Sequence, residues 1–359
     1  MNEPAPSATC SSAIDADPVE ADLDTDLAVE LRGVSKLFIQ RQRSARARDV
    51  LSNLFRPRER EIRALDNVNL KIQRGEIVAY AGPNGAGKST TVKLLSSVLA
   101  PTSGSVRALG LDPVRDRVRY VRRIGVVFGQ RTELWWDQPV AASFEWKRVV
   151  WDIPQRRYDT LLEFVRDLLG LDEFFDSLAR QLSLGQRMRA DLALMLLHEP
   201  EILFLDEPTI GVDVLAKRRI LDFVKTLNRE KGVTVMLTSH DMDDLEQLAG
   251  RIVMIDNGHI AFDGDFGELR QQSGDRRQLI VETERDTPPV LPGAECVGSE
   301  GRRHTFVFDA ATTPIAGLLE QAAAQTGIID VETHRAPIDD VIADLYEHWQ
   351  AARQVPTGP

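Results

Sequence analysis

"IVAYAGPNGAGKSTTVKLLSSVL", residues 77–99, decides the fold. Its first five residues form an apolar run of strand length, and its middle is rich in glycine. Val92, Leu94, Leu95 and Leu99 then mark an apolar helix. A buried strand passing through "GPNGAGKST" (Gly82, Pro83, Asn84, Gly85, Ala86, Gly87, Lys88, Ser89, Thr90) into a helix is the G-x-x-x-x-G-K-[ST] pattern in the context it requires. The glycines let backbone N–H groups point into a nest that holds anionic oxygens. The helix beginning near Lys88 directs its positive end to the same place. Lys88 is expected to reach the β- and γ-phosphates of a nucleotide, and the Ser89 hydroxyl to ligate Mg²⁺.

A second stretch supplies what a phosphate loop lacks. "EILFLDEP", residues 201–208, is an apolar strand ending in two acids. Asp206 is placed to bind the Mg²⁺ hydration shell. Glu207 is placed to orient and deprotonate a water facing the γ-phosphate. From about residue 63 to 265 strand-like and helix-like stretches alternate, "TVMLTSH" (234–240) being another buried strand. The expected class is α/β, with a mostly parallel central sheet. Residues 131–195 instead carry helical periodicity and read as a helical subdomain.

The set resembles the ATPase subunit of ABC transporters, a P-loop NTPase family, over about residues 28–265. Beyond the loop and the acidic strand, "VVFGQRTEL" presents Gln130 where the family has its Q-loop glutamine, touching Mg²⁺ and the attacking water. "LSLGQ" (Leu182, Ser183, Leu184, Gly185, Gln186) resembles the signature sequence, with Leu184 in place of the usual first glycine. Asp213 in "GVD" looks like the D-loop aspartate, His240 in "TSHD" like the switch histidine, and Phe38 in "VSKLF" like the aromatic that stacks on adenine. The resemblance implies catalytic roles for Glu207, His240, Gln130 and Lys88, and Mg²⁺ contacts from Ser89, Gln130 and Asp206. It also implies ATP and Mg²⁺ as ligands, a homodimer in which the signature of one copy caps the nucleotide of the other, and integral-membrane permease partners. The fit is best to bacterial subunits paired with separately encoded exporter permeases. The place implied is the cytoplasmic face of the cell membrane. An alternative within the same superfamily is a soluble ATPase acting on ribosomes or DNA.

Composition limits the rest. The net charge of −11 disfavours nucleic-acid binding driven by phosphate attraction. No apolar run approaches the ~18 residues of a membrane span. Cys10 and Cys296 lie far apart, without metal-ligand spacing. Residues 1–26 read as a disordered acidic tail with no secretory signal, 27–268 as the ATPase domain, 269–350 as a small α+β accessory domain, and 351–359 as a tail. An arginine-rich insert over 41–63 carries Val50, Leu51, Leu54 and Phe55 on one helical face. It reads as an amphipathic helix at a membrane face or permease contact, in preference to a solvated loop. Trp135 and Trp136 read as one core residue and one partner anchor, and His304 and His334 as surface residues.

Overall fold

The computed structural model describes residues 26–41, 59–129, 131–239, 241–272, 276–335 and 338–354. The acidic tail before Asp26, residues 42–58 of the insert with its four apolar residues, Gln130 and His240 lie outside these.

The described residues open with two long antiparallel paired strands, β1 (Leu27–Arg41) and β2 (Glu59–Gln73), in which Arg41 pairs with Glu59. The expected insert is therefore shorter than 41–63. Its last five residues belong to β2, whose alternation continues back through the arginine-rich composition. β4 (Ser103–Ala108) pairs on the other side of β1, giving a three-stranded sheet of order β2-β1-β4.

The central sheet has six strands in the order β5-β6-β7-β3-β8-β9, among the described residues. β3 (Ile77–Ala81), β5 (Ile124–Phe128), β6 (Ile202–Asp206), β7 (Thr234–Thr238) and β8 (Arg251–Asp256) run parallel, and β9 (His259–Gly264) closes one edge antiparallel. β6 and β7 read as near-continuous apolar runs because helices or the second sheet cover both faces. Tyr80, Phe204, Met236 and Val253 look toward the β1–β2–β4 sheet and α1 (Lys88–Leu95). Ala79, Leu203, Leu205, Val235 and Leu237 look toward the helices on the other side. α1 is short. It ends at Leu95, Ser97 takes a left-handed turn (φ 61°), and Leu99 lies beyond the helix, packed at the edge of the core.

α2 (Arg117–Val121) precedes β5. The stretch after β5 is helical as its periodicity predicts: α3 (Val140–Val150), α4 (Gln155–Leu169) and α5 (Leu184–Leu196). α6 (Val214–Lys231), α7 (Met242–Leu248) and α8 (Phe266–Gln272) complete the layer.

A separate four-stranded antiparallel sheet follows, of order β11-β12-β10-β13: β10 (Arg276–Thr283), β11 (Ala294–Glu300), β12 (Arg303–Asp309) and β13 (Ile328–Arg335). β11 has no counterpart in the sequence reading, because "AECVGSE" is a mostly exposed edge strand with little apolar alternation. α9 (Ile315–Gln325) lays Leu318 and Ala322 on Leu279, Val281, Phe306 and Phe308 to make this unit's own core.

Three expectations need correction here. The last described helix, α10 (Ile338–Gln354), departs from the expected small domain over 269–350 with a tail from 351. It runs to Gln354 and buries Ile338, Val341, Ile342 and Leu345 in the large core. His304 is no surface residue: it is fully buried, with Nδ1 2.8 Å from Ser299 Oγ and Nε2 3.2 Å from Thr283 Oγ1. Trp135 and Trp136 are both half-exposed, so neither is a core residue. Trp135 tilts against Trp146, and Arg187 sits over the Trp136 ring.

Candidate nucleotide-binding site

The carboxyl ends of parallel strands leave a crevice where loops can converge, the usual ligand position in such sheets. Here the turn from β3 to α1 occupies it, and local packing explains its glycines. A side chain on Gly82 would place its Cβ 2.3 Å from the Ile255 carbonyl oxygen. One on Gly87, at φ 119°, would lie 2.7 Å from the Ala64 carbonyl oxygen and 2.8 Å from Leu65. The loop is thus pressed onto two neighbouring segments that only a bare backbone can approach. Lys88 is buried inside its curve, donating from Nζ to the carbonyl oxygens of Gly82 (2.5 Å) and Pro83 (3.3 Å). Burial lowers its pKa, while the nearby Glu207 and Asp206 carboxylates pull it back up. Pro83, Asn84 and Gly85 stand exposed at the tip, Ala86 is buried beneath them, and Ser89 and Thr90 are half-buried in the first turn of α1.

The end of β6 meets this turn directly. Ser89 Oγ donates to Asp206 Oδ1 at 3.3 Å, and Thr238 Oγ1, from the end of β7, donates to the same oxygen at 2.8 Å. Glu207 takes a left-handed backbone (φ 57°), uncommon outside glycine and concentrated at functional sites. Its N–H is held by the Thr238 hydroxyl (3.0 Å) and carbonyl (3.2 Å). Gly129, just before Gln130 in the chain, donates from N to the Asp206 carbonyl at 2.8 Å, and a Cβ there would be 2.4 Å from the Glu207 carbonyl. Ser89, Gly129, Arg131, Asp206 and Glu207 are among the residues lining a cavity of about 320 Å³. Thr238 and Gly129 are missing from the residues picked out in the sequence. Thr238 stands two positions before His240 at the end of a strand neighbouring β6, which is the signal that could have marked it.

These groups suit phosphate and Mg²⁺. A hydroxyl and a carboxylate oxygen side by side are hard ligands of the kind Mg²⁺ takes while keeping waters and phosphate oxygens. Among the described residues no group of three or more His, Cys, Asp or Glu forms an all-protein metal cage, which such a site does not need.

Phe38 presents a half-exposed ring on β1, with Lys36 Nζ 5.3 Å from its centre. The "LSLGQ" segment is built as a helix start. Ser183 caps α5, its hydroxyl accepting from Gln186 N (3.2 Å) and its N–H donating to Gln186 Oε1 (2.9 Å), a reciprocal capping box. Leu182 is buried below, and Gly185 fits against α6, where a Cβ would lie 3.0 Å from Ala216 Cβ and 3.3 Å from Asp213. Leu184 stays half-exposed against Gly211. Asp213 caps α6, accepting from the N–H groups of Ala216 (2.9 Å) and Leu215 (3.1 Å), and the first of these bonds is the main cause of its depressed pKa. None of Leu182–Gln186 lines the cavity beside Ser89 and Glu207.

Comparison with known proteins agrees with this geometry. The ABC transporter family matches residues 65–210. "Daunorubicin resistance ATP-binding protein DrrA3" of Streptomyces coeruleorubidus is 35% identical over 61% of this chain and 69% of its own length. "ABC transporter A family member 1" of Dictyostelium discoideum is 33% identical over 72% of this chain, which spans only 30% of that much longer protein. A solved ATP-binding cassette, dimeric in a post-hydrolysis state with ADP and Pi bound, covers 66% of this chain and 98% of its own, with 26% identity and a TM-score of 0.55. The chain belongs to the ABC transporter family, among its ATP-binding proteins.

Proposed function

We propose that this chain binds ATP with Mg²⁺ and hydrolyses it between two copies of itself, so driving export through separate integral-membrane permease subunits. The observation that carries the reading is the junction of Ser89, Asp206, Thr238 and Glu207 beside the phosphate loop.

The loop N–H groups and Lys88 hold the phosphates. Ser89 and Asp206 would hold Mg²⁺, which would supply charge neutralisation to the phosphates. Glu207, fixed at its backbone by Thr238, accepts a proton from water as the new bond to γ-phosphorus forms and the bridging bond to ADP breaks. Lys88 faces the charge that develops on the departing ADP. Gln130 and His240 are assigned to positioning the water and contacting the γ-phosphate, on the family resemblance alone. Phe38 is assigned to the adenine ring on the same ground.

The homodimer follows from the signature. Ser183 and Leu184 expose the N-terminal end of an otherwise buried helix, and that end does not line its own chain's cavity, so a second copy is required to use it. No helix among the described residues is long and apolar enough to cross a membrane, so attachment at the cytoplasmic membrane face falls to the permease. Export is preferred to import because the daunorubicin-resistance relative is similar over most of its length. The negative net charge argues against a nucleic-acid target.

Size-exclusion chromatography with and without Mg·ATP tests the reading. Glu207→Gln should bind ATP, accumulate as a dimer and lose turnover, and Lys88→Ala should stay monomeric. Purification in detergent from native membranes should bring down a multi-span protein at matching stoichiometry. Hydrolysis by Glu207→Gln at the parental rate would sink the assignment of the base, and ribosomal or DNA-bound partners alone would sink the transport role.

A further inference from the structure

Asp191 lies on α5 about two turns from Ser183, and its neighbours Ala190, Leu192 and Ala193 are apolar and fully buried. A carboxylate inside such a helix costs folding free energy unless hydrogen bonds offset it, and an apolar side chain would serve the packing alone. What the carboxylate adds is a hold on the chain just after Gly129. Its Oδ1 accepts from Thr132 Oγ1 at 2.9 Å and from the Glu133 N–H at 3.0 Å. The Thr132 hydroxyl accepts in turn from Leu134 N at 3.1 Å.

α3 grips the same stretch. Buried Ser143 accepts from Trp135 N at 2.9 Å, and buried Lys147 donates from Nζ to Glu133 Oε2 at 2.7 Å. Polar side chains of two helices therefore fix residues 132–135. The other end of the segment is fixed to the candidate site: Gly129 donates from N to the Asp206 carbonyl at 2.8 Å, and Arg131 lines the cavity with Asp206 and Glu207. Asp191 itself does not line that cavity.

We propose that Asp191 is a positioning residue for hydrolysis. Through Thr132 and Glu133 it fixes the segment that passes beside Asp206 and Glu207, and it ties that segment to the helix that Ser183 caps. The inference rests on the hydrolysis assigned above to Glu207. Asp191 acts through the segment and not on the reacting atoms, so its loss should slow the chemical step and leave ATP binding in place. Both hydrogen bonds end on one oxygen that only accepts, so an amide at this position should serve as well as a carboxylate.

The test measures Mg·ATP turnover by the full chain, with Glu207→Gln as the blank. Asp191→Leu should lower kcat about tenfold or more with KM for ATP little changed, and Asp191→Asn should keep most of the parental rate. Thr132→Val should lower kcat too. Asp191→Leu combined with Thr132→Val should fall no further than Asp191→Leu alone, because both remove one interaction. A rise in unfolding temperature on adding ATP shows that each variant is folded and binds. If Asp191→Leu does not fold, Thr132→Val carries the same test. A parental kcat in Asp191→Leu, or in Thr132→Val where the first is unfolded, overturns the proposal. So does a loss that Asp191→Asn shares in full, a loss confined to KM, or single losses that multiply in the double variant. A parent that turns over no faster than Glu207→Gln would sink the hydrolysis reading itself, and this inference with it.

Discussion

Thr238 Oγ1 donates to Asp206 Oδ1 at 2.8 Å and, at 3.0 Å, accepts from the backbone N–H of Glu207. One hydroxyl on β7 thus fixes the carboxylate assigned to Mg²⁺ and the strained backbone of the residue assigned as base. Thr238→Val keeps the shape of this fully buried side chain and removes both hydrogen bonds. The expected cost is about 1–3 kcal/mol of stability, since the Glu207 N–H keeps only its longer bond to the Thr238 carbonyl. Turnover should fall about 10- to 100-fold with KM for ATP little changed, as for an interaction that positions the reacting groups. Steady-state kinetics with Mg²⁺ in excess would show it, and a changed KM with normal kcat would contradict it.

The glycines of the phosphate loop should divide by cause. Gly85, at φ 82°, has open space where a Cβ would go, so Gly85→Ala meets backbone strain alone, about 1–2 kcal/mol. Gly87→Ala adds a collision with the Ala64 carbonyl and should cost more than Gly85→Ala. Urea unfolding of the two variants should rank them in that order, and a reversed order would show that the loop moves away from Ala64 at little cost.

Asp191 sits in α5 with only 6% of its surface exposed, accepting from Thr132 Oγ1 (2.9 Å) and Glu133 N (3.0 Å). Burial pushes its pKa up to about 7 against those two hydrogen bonds. A carboxyl with a raised folded-state pKa contributes stability that is present below its unfolded value, near 4, and lost as pH rises through about 7. Asp191→Asn keeps the accepting Oδ1 and cannot ionise. It should gain up to about 4 kcal/mol relative to the parent between pH 4 and pH 8, at roughly 1.4 kcal/mol per pKa unit over about three units. Denaturant melts across that range would check the sign, and parallel curves for the two proteins would refute it.

How much of this was legible depends on the range of each contact. The phosphate loop, β6 with its two acids, β7 and the helices after residue 131 were readable because each is a local pattern with a fixed period or spacing. Thr238 was passed over because its partners, Asp206 and Glu207, are 32 and 31 residues away and meet it only across the β6–β7 register. Buried His304 looked like any isolated polar residue, since Ser299 and Thr283 reach it only once β10, β11 and β12 have paired. The exposed edge strand β11 offered no alternation to find. Ser183 shows the reverse. Its capping box with Gln186 is local, and "S-L-G-Q" announces a helix start as plainly as an anion site.

α10 supplies the last expectation. Its sequence is an amphipathic helix beyond the small sheet, and adjacency in the chain suggested that it packs there. Instead Leu345, 4% exposed, enters the large core with Ile338, Val341 and Ile342, and Tyr346 and Trp349 pack beside them. Leu345→Ala should therefore cost about 2–5 kcal/mol, the range for a buried leucine whose cavity only partly collapses. The loss should fall on the cooperative unit that carries the phosphate loop. Nucleotide raises the unfolding temperature of that unit, because it binds the folded form alone. Calorimetry with and without ATP can identify the transition that shifts. If Leu345→Ala lowers that transition, α10 is part of the nucleotide-binding unit. A fall confined to a second transition, one that ATP leaves in place, would return the helix to the small sheet.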